Sequence, residues 1–180
     1  MNTLAHHDIG EETIDLLQRL IALASVNDLT PDSGNEEAAA DLFESFFDGL
    51  PVEVERIEPH PGRTTLVVTL RGSDPSAQPL TFLGHTDVVP VDEKHWTHPP
   101  FAGQISEGSI WGRGCVDMLH LTAAMAVVTR HLAEEVSRGG ARPAGTLTFV
   151  AAADEEARGG LGVPWIGKHR ADAFPWDAQL

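Results

Sequence analysis

The sequence predicts an α/β fold in which helices cover a mixed β-sheet. Three observations predict it. Two stretches of helical periodicity open the chain, three short β-rich runs follow them, and a long third helical stretch leads into an apolar, β-branched run near the end. The resulting order is two helices, three strands, a hairpin, a helix, a strand and a helix.

Each element has its own signal. Glu11 to Ala24 carries Ile14, Leu17, Ile21 and Ala24 at helical spacing, and Asn35 to Phe47 repeats the pattern with Leu42, Phe43, Phe46 and Phe47. Between them, Asn27-Asp28-Leu29-Thr30-Pro31-Asp32-Ser33-Gly34 is turn chemistry, so it reads as a loop with Ser33 or Asn35 capping the second helix. Val52 to Glu58, Thr64 to Arg71 and Leu80 to Leu83 are expected as neighbouring strands, separated by Pro59-His60-Pro61-Gly62 and Gly72-Ser73-Asp74-Pro75. Gln104 to Trp111 alternates around Glu107-Gly108 as a hairpin does, and Asp117 to Val136 gives a long helix through Leu121, Ala124, Met125, Val128 and Leu132. Thr146 to Ala153 is apolar at both parities, as in a strand covered on both faces, and Leu161 to His169 follows as a short helix. Phe174-Pro175-Trp176 is a turn, and Asp177-Ala178-Gln179-Leu180 reads as the opening of another strand.

Composition narrows the function. Lys and Arg total 12 against 27 Asp and Glu, a formal charge of −15, and no basic stripe offsets it, so nucleic acid is excluded as a partner. The single cysteine, Cys115, permits neither an intramolecular disulfide nor a Cys-rich zinc site, and its small and apolar neighbours make it a packed residue rather than a reactive one. A reducing compartment follows. Met1 to Ile9 has neither the basic residues nor the apolar core of a leader peptide, and the apolar stretch from Leu119 to Val128 is too short to span a membrane. A soluble cytoplasmic protein is expected.

Three clusters could carry chemistry. In Gly84-His85-Thr86-Asp87, at the end of a strand, two residues of extended chain put His85 and Asp87 on one side, where a carboxylate can hold the second nitrogen of a metal-binding imidazole. Alone, His-x-Asp is common and serves equally as a surface or capping pair. In Gly112-Arg113-Gly114-Cys115-Val116-Asp117-Met118, two glycines permit a tight path that delivers Asp117 to a helix start, where an N-cap is the plain alternative. The third is Asp154-Glu155-Glu156, at the end of the most apolar strand. A charge run is usually a solvated face, but ligands of open α/β sheets collect beyond the carboxyl ends of strands, from which His85 also emerges. If those two strands are neighbours, one imidazole and several carboxylates meet, and a cation relieves their repulsion. Oxygen donors with one imidazole per ion and no thiolate fit zinc, cobalt or manganese. Two ions about 3.5–4 Å apart would share a bridging carboxylate and together activate water and polarise a carbonyl. Adjacent Glu155 and Glu156 could divide the roles of ligand and general base. His95, His98, His120, His131 and the pair His6-His7 read as structural or surface residues.

Taken in order, His-x-Asp, Gly-Arg-Gly-x-x-Asp-Met and Asp-Glu-Glu make the chain resemble the zinc-dependent aminoacylase, acetylornithine deacetylase, succinyl-diaminopimelate desuccinylase and glutamate carboxypeptidase family, from about Glu11 onward. Trp96-Thr97-His98-Pro99-Pro100-Phe101 and Gly108-Ser109-Ile110-Trp111 fit the stretch joining the first two motifs, and Leu119-His120 after Asp-Met points to the dipeptidase-like branch. The resemblance implies a zinc-exopeptidase-like catalytic domain, of which residues 1–180 are the N-terminal part, without the lid and dimerisation domain. It implies two divalent metal ions, zinc before cobalt or manganese, with His85 a ligand of one, Glu156 a ligand of the other and Asp117 bridging them. Asp87 is then the carboxylate behind His85, Glu155 the general base, and the bond after Asp117 is cis. The substrate would be a small molecule or short peptide, hydrolysed at a peptide or amide bond. An incomplete sheet edge would favour self-association.

Overall fold

The computed structural model describes residues 9–30, 32–157 and 160–176. His6-His7 and the strand opening expected at Asp177–Leu180 lie outside them. The elements are α1 (Ile9–Ala22), α2 (Glu37–Phe46), β1 (Glu53–Ile57), β2 (Thr65–Leu70), β3 (Leu80–His85), β4 (Gln104–Ser106), β5 (Ser109–Trp111), α3 (Leu119–Ser137), β6 (Leu147–Ala152) and α4 (Val163–His169). The type and order match the expectation from sequence.

The strands pair as β1-β2-β6-β3, with β1 antiparallel to β2, β2 antiparallel to β6 and β3 parallel to β6. This corrects the expectation that the first three strands are all neighbours, because β6 lies between β2 and β3. Burial explains the order. All of β6 is buried and β2 nearly so, whereas β1 is exposed at four of its five positions, so the apolar strands take the centre and β1 an edge. The expected hairpin is present as β4 and β5, paired apart from the main sheet.

Alternation along the central strands builds two cores. Leu66, Val68 and Phe149 face α1, α2 and α3, meeting Leu16, Leu20, Phe43, Phe47 and Ala126, while Val67 and Val150 face Ile166 of α4 and Phe174. Phe43 meets Phe149 edge-on with ring centroids 5.2 Å apart. Each such buried side chain contributes about 1.5–3 kcal/mol. Exposed pairs such as Arg71–Glu53 contribute about 0–1 kcal/mol, so the cores hold the fold and the surface charges do not.

Two details of the helices differ from the sequence reading. The buried face of α3 is Leu119, Thr122, Ala123, Ala126, Val127, Thr129 and Ala133, with Met125 and Leu132 packed partly buried beside it, while Leu121 and Val128 are exposed. Small residues win that face because α3 lies very close to the sheet: a Cβ on Gly84 would stand 2.4 Å from Thr122 Oγ1. At α2 neither Ser33 nor Asn35 is the cap. Glu36 occupies that position without a side-chain cap bond, and the Ser33 hydroxyl instead donates to the Thr30 carbonyl at 2.9 Å. No helix among the described residues is long and apolar enough to cross a membrane.

Candidate metal centre

The parallel pairing of β3 with β6 sets Gly84 beside Ala151 and His85 beside Ala152, so both strands end at the same edge of the sheet. The close approach at Gly84 lets the Thr122 hydroxyl donate to the His85 carbonyl at 2.9 Å, tying the end of β3 to α3. His85 is buried. Its Nδ1 lies 2.9 Å from the main-chain carbonyl of Asp87 and 3.5 Å from Asp87 Oδ1. A carbonyl only accepts, so Nδ1 keeps its hydrogen and Nε2 is the nitrogen that gives up its proton when the ring binds an ion. That nitrogen faces Asp117 Oδ1 at 3.3 Å and Glu155 Oε2 at 3.8 Å.

Asp87 does more than stand behind the imidazole. Fully buried, its carboxylate accepts from the main-chain N–H groups of Glu155 at 3.1 Å and Glu156 at 2.9 Å, and from Asn27 Nδ2 at 2.8 Å. One carboxylate thereby registers the turn after β6 against the end of β3. That turn starts at Asp154, whose φ of +57° is a left-handed conformation that aspartate tolerates better than most residues. Asp117 arrives on the loop after Gly114, its side chain largely exposed, and the Asp117–Met118 bond is cis. Helix α3 begins at Leu119 with Met118 as its cap, so Asp117 makes no N-cap and its carboxylate is free for the site.

His85, Asp117 and Glu156 each present a ligand atom, all within 4.8 Å of one another. The donor set fits a divalent cation of zinc type: an imidazole Nε2 directed inward, whose proton an ion would displace, and carboxylate oxygens opposite. Electrostatics agree. Burial pushes the Glu156 carboxyl up and the charges of Asp117, Asp87 and Glu155 push the same way, against the opposing pull of His85, and a cation would reverse that balance. The site opens beside a cleft of about 500 Å³ with Leu83, Val163 and Pro164 on its apolar side and His85 and Glu155 at its polar end.

Burial alone would lower the pKa of His85, but the hydrogen bond and charge of Asp87 outweigh it, and the ring is raised from 6.5 to about 9. Below 6.5 the ring is protonated whether the chain is folded or not, and the pair contributes fully; as pH rises through about 9 the contribution is lost. In chelator, the difference in urea midpoint between the wild type and His85→Gln is therefore expected to shrink as pH rises over this interval. A difference that grows with pH would contradict the assignment.

A family model described as peptidase family M20/M25/M40 matches residues 81–180, the span that holds His85, Asp87, Asp117, Glu155 and Glu156. The chain belongs to the M20/M25/M40 peptidase family. Among solved structures, an M20 family metallo-carboxypeptidase from Sulfolobus solfataricus superposes with TM-score 0.67 at 20% identity, over 91% of this chain and 35% of that one. Human carnosine dipeptidase 1 gives TM-score 0.63 at 20% identity, over 88% of this chain and 35% of that one. The YXEP protein of Bacillus subtilis, a dinuclear metal binding peptidase of the M20 family, gives TM-score 0.58 at 17% identity, over 91% of this chain and 40% of that one. At these identities the likeness establishes the M20 catalytic-domain fold, and the chain spans between about a third and two fifths of the length of these relatives.

All five site residues expected from the sequence of this M20 chain meet at one sheet edge. Among the described residues, His95 lies against Asp92, His98 against Trp111 and His131 against Glu12 on α1, away from this group. Cys115 is half-buried against the core. Sequence reasoning missed three residues behind the M20 site. Arg63, two residues before β2, is buried with Glu36 at 2.8 Å, and its second nitrogen donates to Asn27 Oδ1 at 3.1 Å. The one sequence signal for Arg63 was its position, a lone cation immediately before a run of apolar and β-branched residues. Asn27 and Glu36 read as turn and helix-start residues, which by position they are.

Proposed function

We propose that residues 1–180 form the N-terminal part of a metal-dependent hydrolase of peptide or amide bonds, acting on dipeptides, short peptides or N-acyl amino acids. The observation that carries this reading is the convergence of His85, Asp117 and Glu156 from three separate elements, with Glu155 beside them. His85 and Glu156 would each hold one of two divalent ions, zinc before cobalt or manganese, and Asp117 would be shared. When bound, such ions lower the pKa of water and polarise the scissile carbonyl. The chain supplies the rest. The Asp87 carbonyl keeps the proton on His85 Nδ1, so Nε2 is available as a donor atom. Glu155, exposed at the mouth of the cleft, takes the proton of the attacking water and returns it to the leaving amine. Asp87 holds the main chain of Glu155 and Glu156, which fixes where base and ligand stand. The single cysteine suits a cytoplasmic setting.

The donor count favours a second reading. Among the described residues three side chains offer ligand atoms at this point, whereas two ions in fixed geometry need more. The 180 residues would then bind metal without useful turnover. Assaying the chain with zinc or cobalt against a panel of dipeptides and N-acyl amino acids separates the two. Hydrolysis that Glu155→Gln removes supports the first reading, and metal uptake without hydrolysis supports the second. Neither uptake nor hydrolysis contradicts both.

A further inference from the structure

Arg63 is the hub of a buried network that reaches the metal centre from behind. Its side chain is 1% exposed and that of Glu36 is 0% exposed. One guanidinium nitrogen donates to Glu36 Oε1 at 2.8 Å and lies 3.7 Å from Asp154 Oδ1. The other donates to the Thr30 carbonyl at 2.8 Å, to Asn27 Oδ1 at 3.1 Å and to Ser33 Oγ at 3.2 Å. The space is made for this fork: a Cβ on Gly34 would fall 2.1 Å from Arg63 Nη1.

Two routes lead forward. With its oxygen facing Arg63, the Asn27 amide must turn its NH₂ outward, and that group donates to Asp87 Oδ2 at 2.8 Å and Asp154 Oδ1 at 3.0 Å. Glu36 Oε1, held by Arg63, accepts from the Asp154 main-chain N–H at 3.1 Å. Asp154 and Asp87 are the residues that carry and register the turn with Glu155 and Glu156. A buried ion pair is weak evidence for stability, since an apolar pair of similar volume often serves as well. What an apolar pair lacks is directional bonding to Asn27 and to the turn.

We propose that Arg63 is a positioning residue for the metal centre, holding Asp87 through Asn27 and the Glu155-Glu156 turn through Glu36 and Asp154 at the separation from His85 that ion binding needs. The role rests on the metal-site reading and goes beyond its ligands. In the full chain, Co²⁺ affinity is measured by competition with a chromophoric chelator, the visible Co²⁺ absorption is recorded, and the thermal midpoint is followed separately in chelator. Arg63→Met combined with Glu36→Gln removes both charges of the pair, and is expected to fold with a midpoint lowered by the orphaned Asn27 and Thr30 oxygens yet, once folded, to bind cobalt at least about 10-fold more weakly, with altered absorption. Arg63→Lys keeps the charge but cannot span Glu36 and Asn27 together. It is the variant to read if the double variant does not fold, and a loss of at least about threefold is expected. Wild-type affinity and absorption in the folded double variant, or in Arg63→Lys where the double variant does not fold, overturn the positioning role alone. A wild-type chain that takes up no cobalt, or takes it up equally after Asp117→Ala, overturns the metal-site reading and this role with it.

Discussion

Asp117→Ala is expected to lower Co²⁺ or Zn²⁺ affinity by more than about 100-fold, since losing even a partner behind a ligand costs about 10–100-fold. Asp117 faces His85 Nε2 at 3.3 Å and belongs to the same donor group as Glu156, so its loss removes one of the three ligand atoms that meet there. Its carboxylate is largely exposed and caps no helix, so the fold has little to lose. Thermal midpoint in chelator should change little while metal retained after gel filtration falls to background. Equal metal content in the wild type and the variant would remove Asp117 from the site.

The second large effect separates two adjacent glutamates. Glu155→Gln in the active, metal-loaded protein is expected to lower kcat by about 100-fold or more with metal content unchanged, as general acid–base contributions run at about 10²–10⁴. Glu156→Gln should instead lower metal content. The structure gives the pair different settings: Glu155 points its carboxylate toward His85 from an exposed position, whereas Glu156 joins His85 and Asp117 within ligand distance. Metal analysis beside kcat on both variants decides it, and the reverse pattern would exchange the two roles.

Much of this site was legible because its residues stand where strands stop. The apolar run of β6 ends in Asp154-Glu155-Glu156 and the run of β3 ends in His85, so the change from apolar to charged marks the sheet edge in the sequence itself. The element types were legible for the same reason, since periodicity is local. Strand order was not. Placing β6 between β2 and β3 depends on which strands can be buried on both faces, a comparison across the whole chain rather than a property of neighbours. The buried face of α3 was read only in part: Met125 and Leu132 do pack inward, but close packing at Gly84 favours Thr122 and Ala126 over the larger Leu121 and Val128, and hydrophobicity alone ranks them the other way. Arg63 was hidden by distance, with partners 27 and 36 residues away in the chain. Its place before an apolar run is a weak signal, which a solvated turn cation shares.

His85, Asp117 and Glu156 are expected to hold divalent metal between them. Crystals of the chain soaked in zinc, measured at the zinc absorption edge, test it most directly. One anomalous peak is expected about 2.0–2.2 Å from His85 Nε2 and an Asp117 oxygen, and a second at the same distance from the other Asp117 oxygen and a Glu156 oxygen. Zinc bound elsewhere on the acidic surface, with no peak between these three residues, would contradict it.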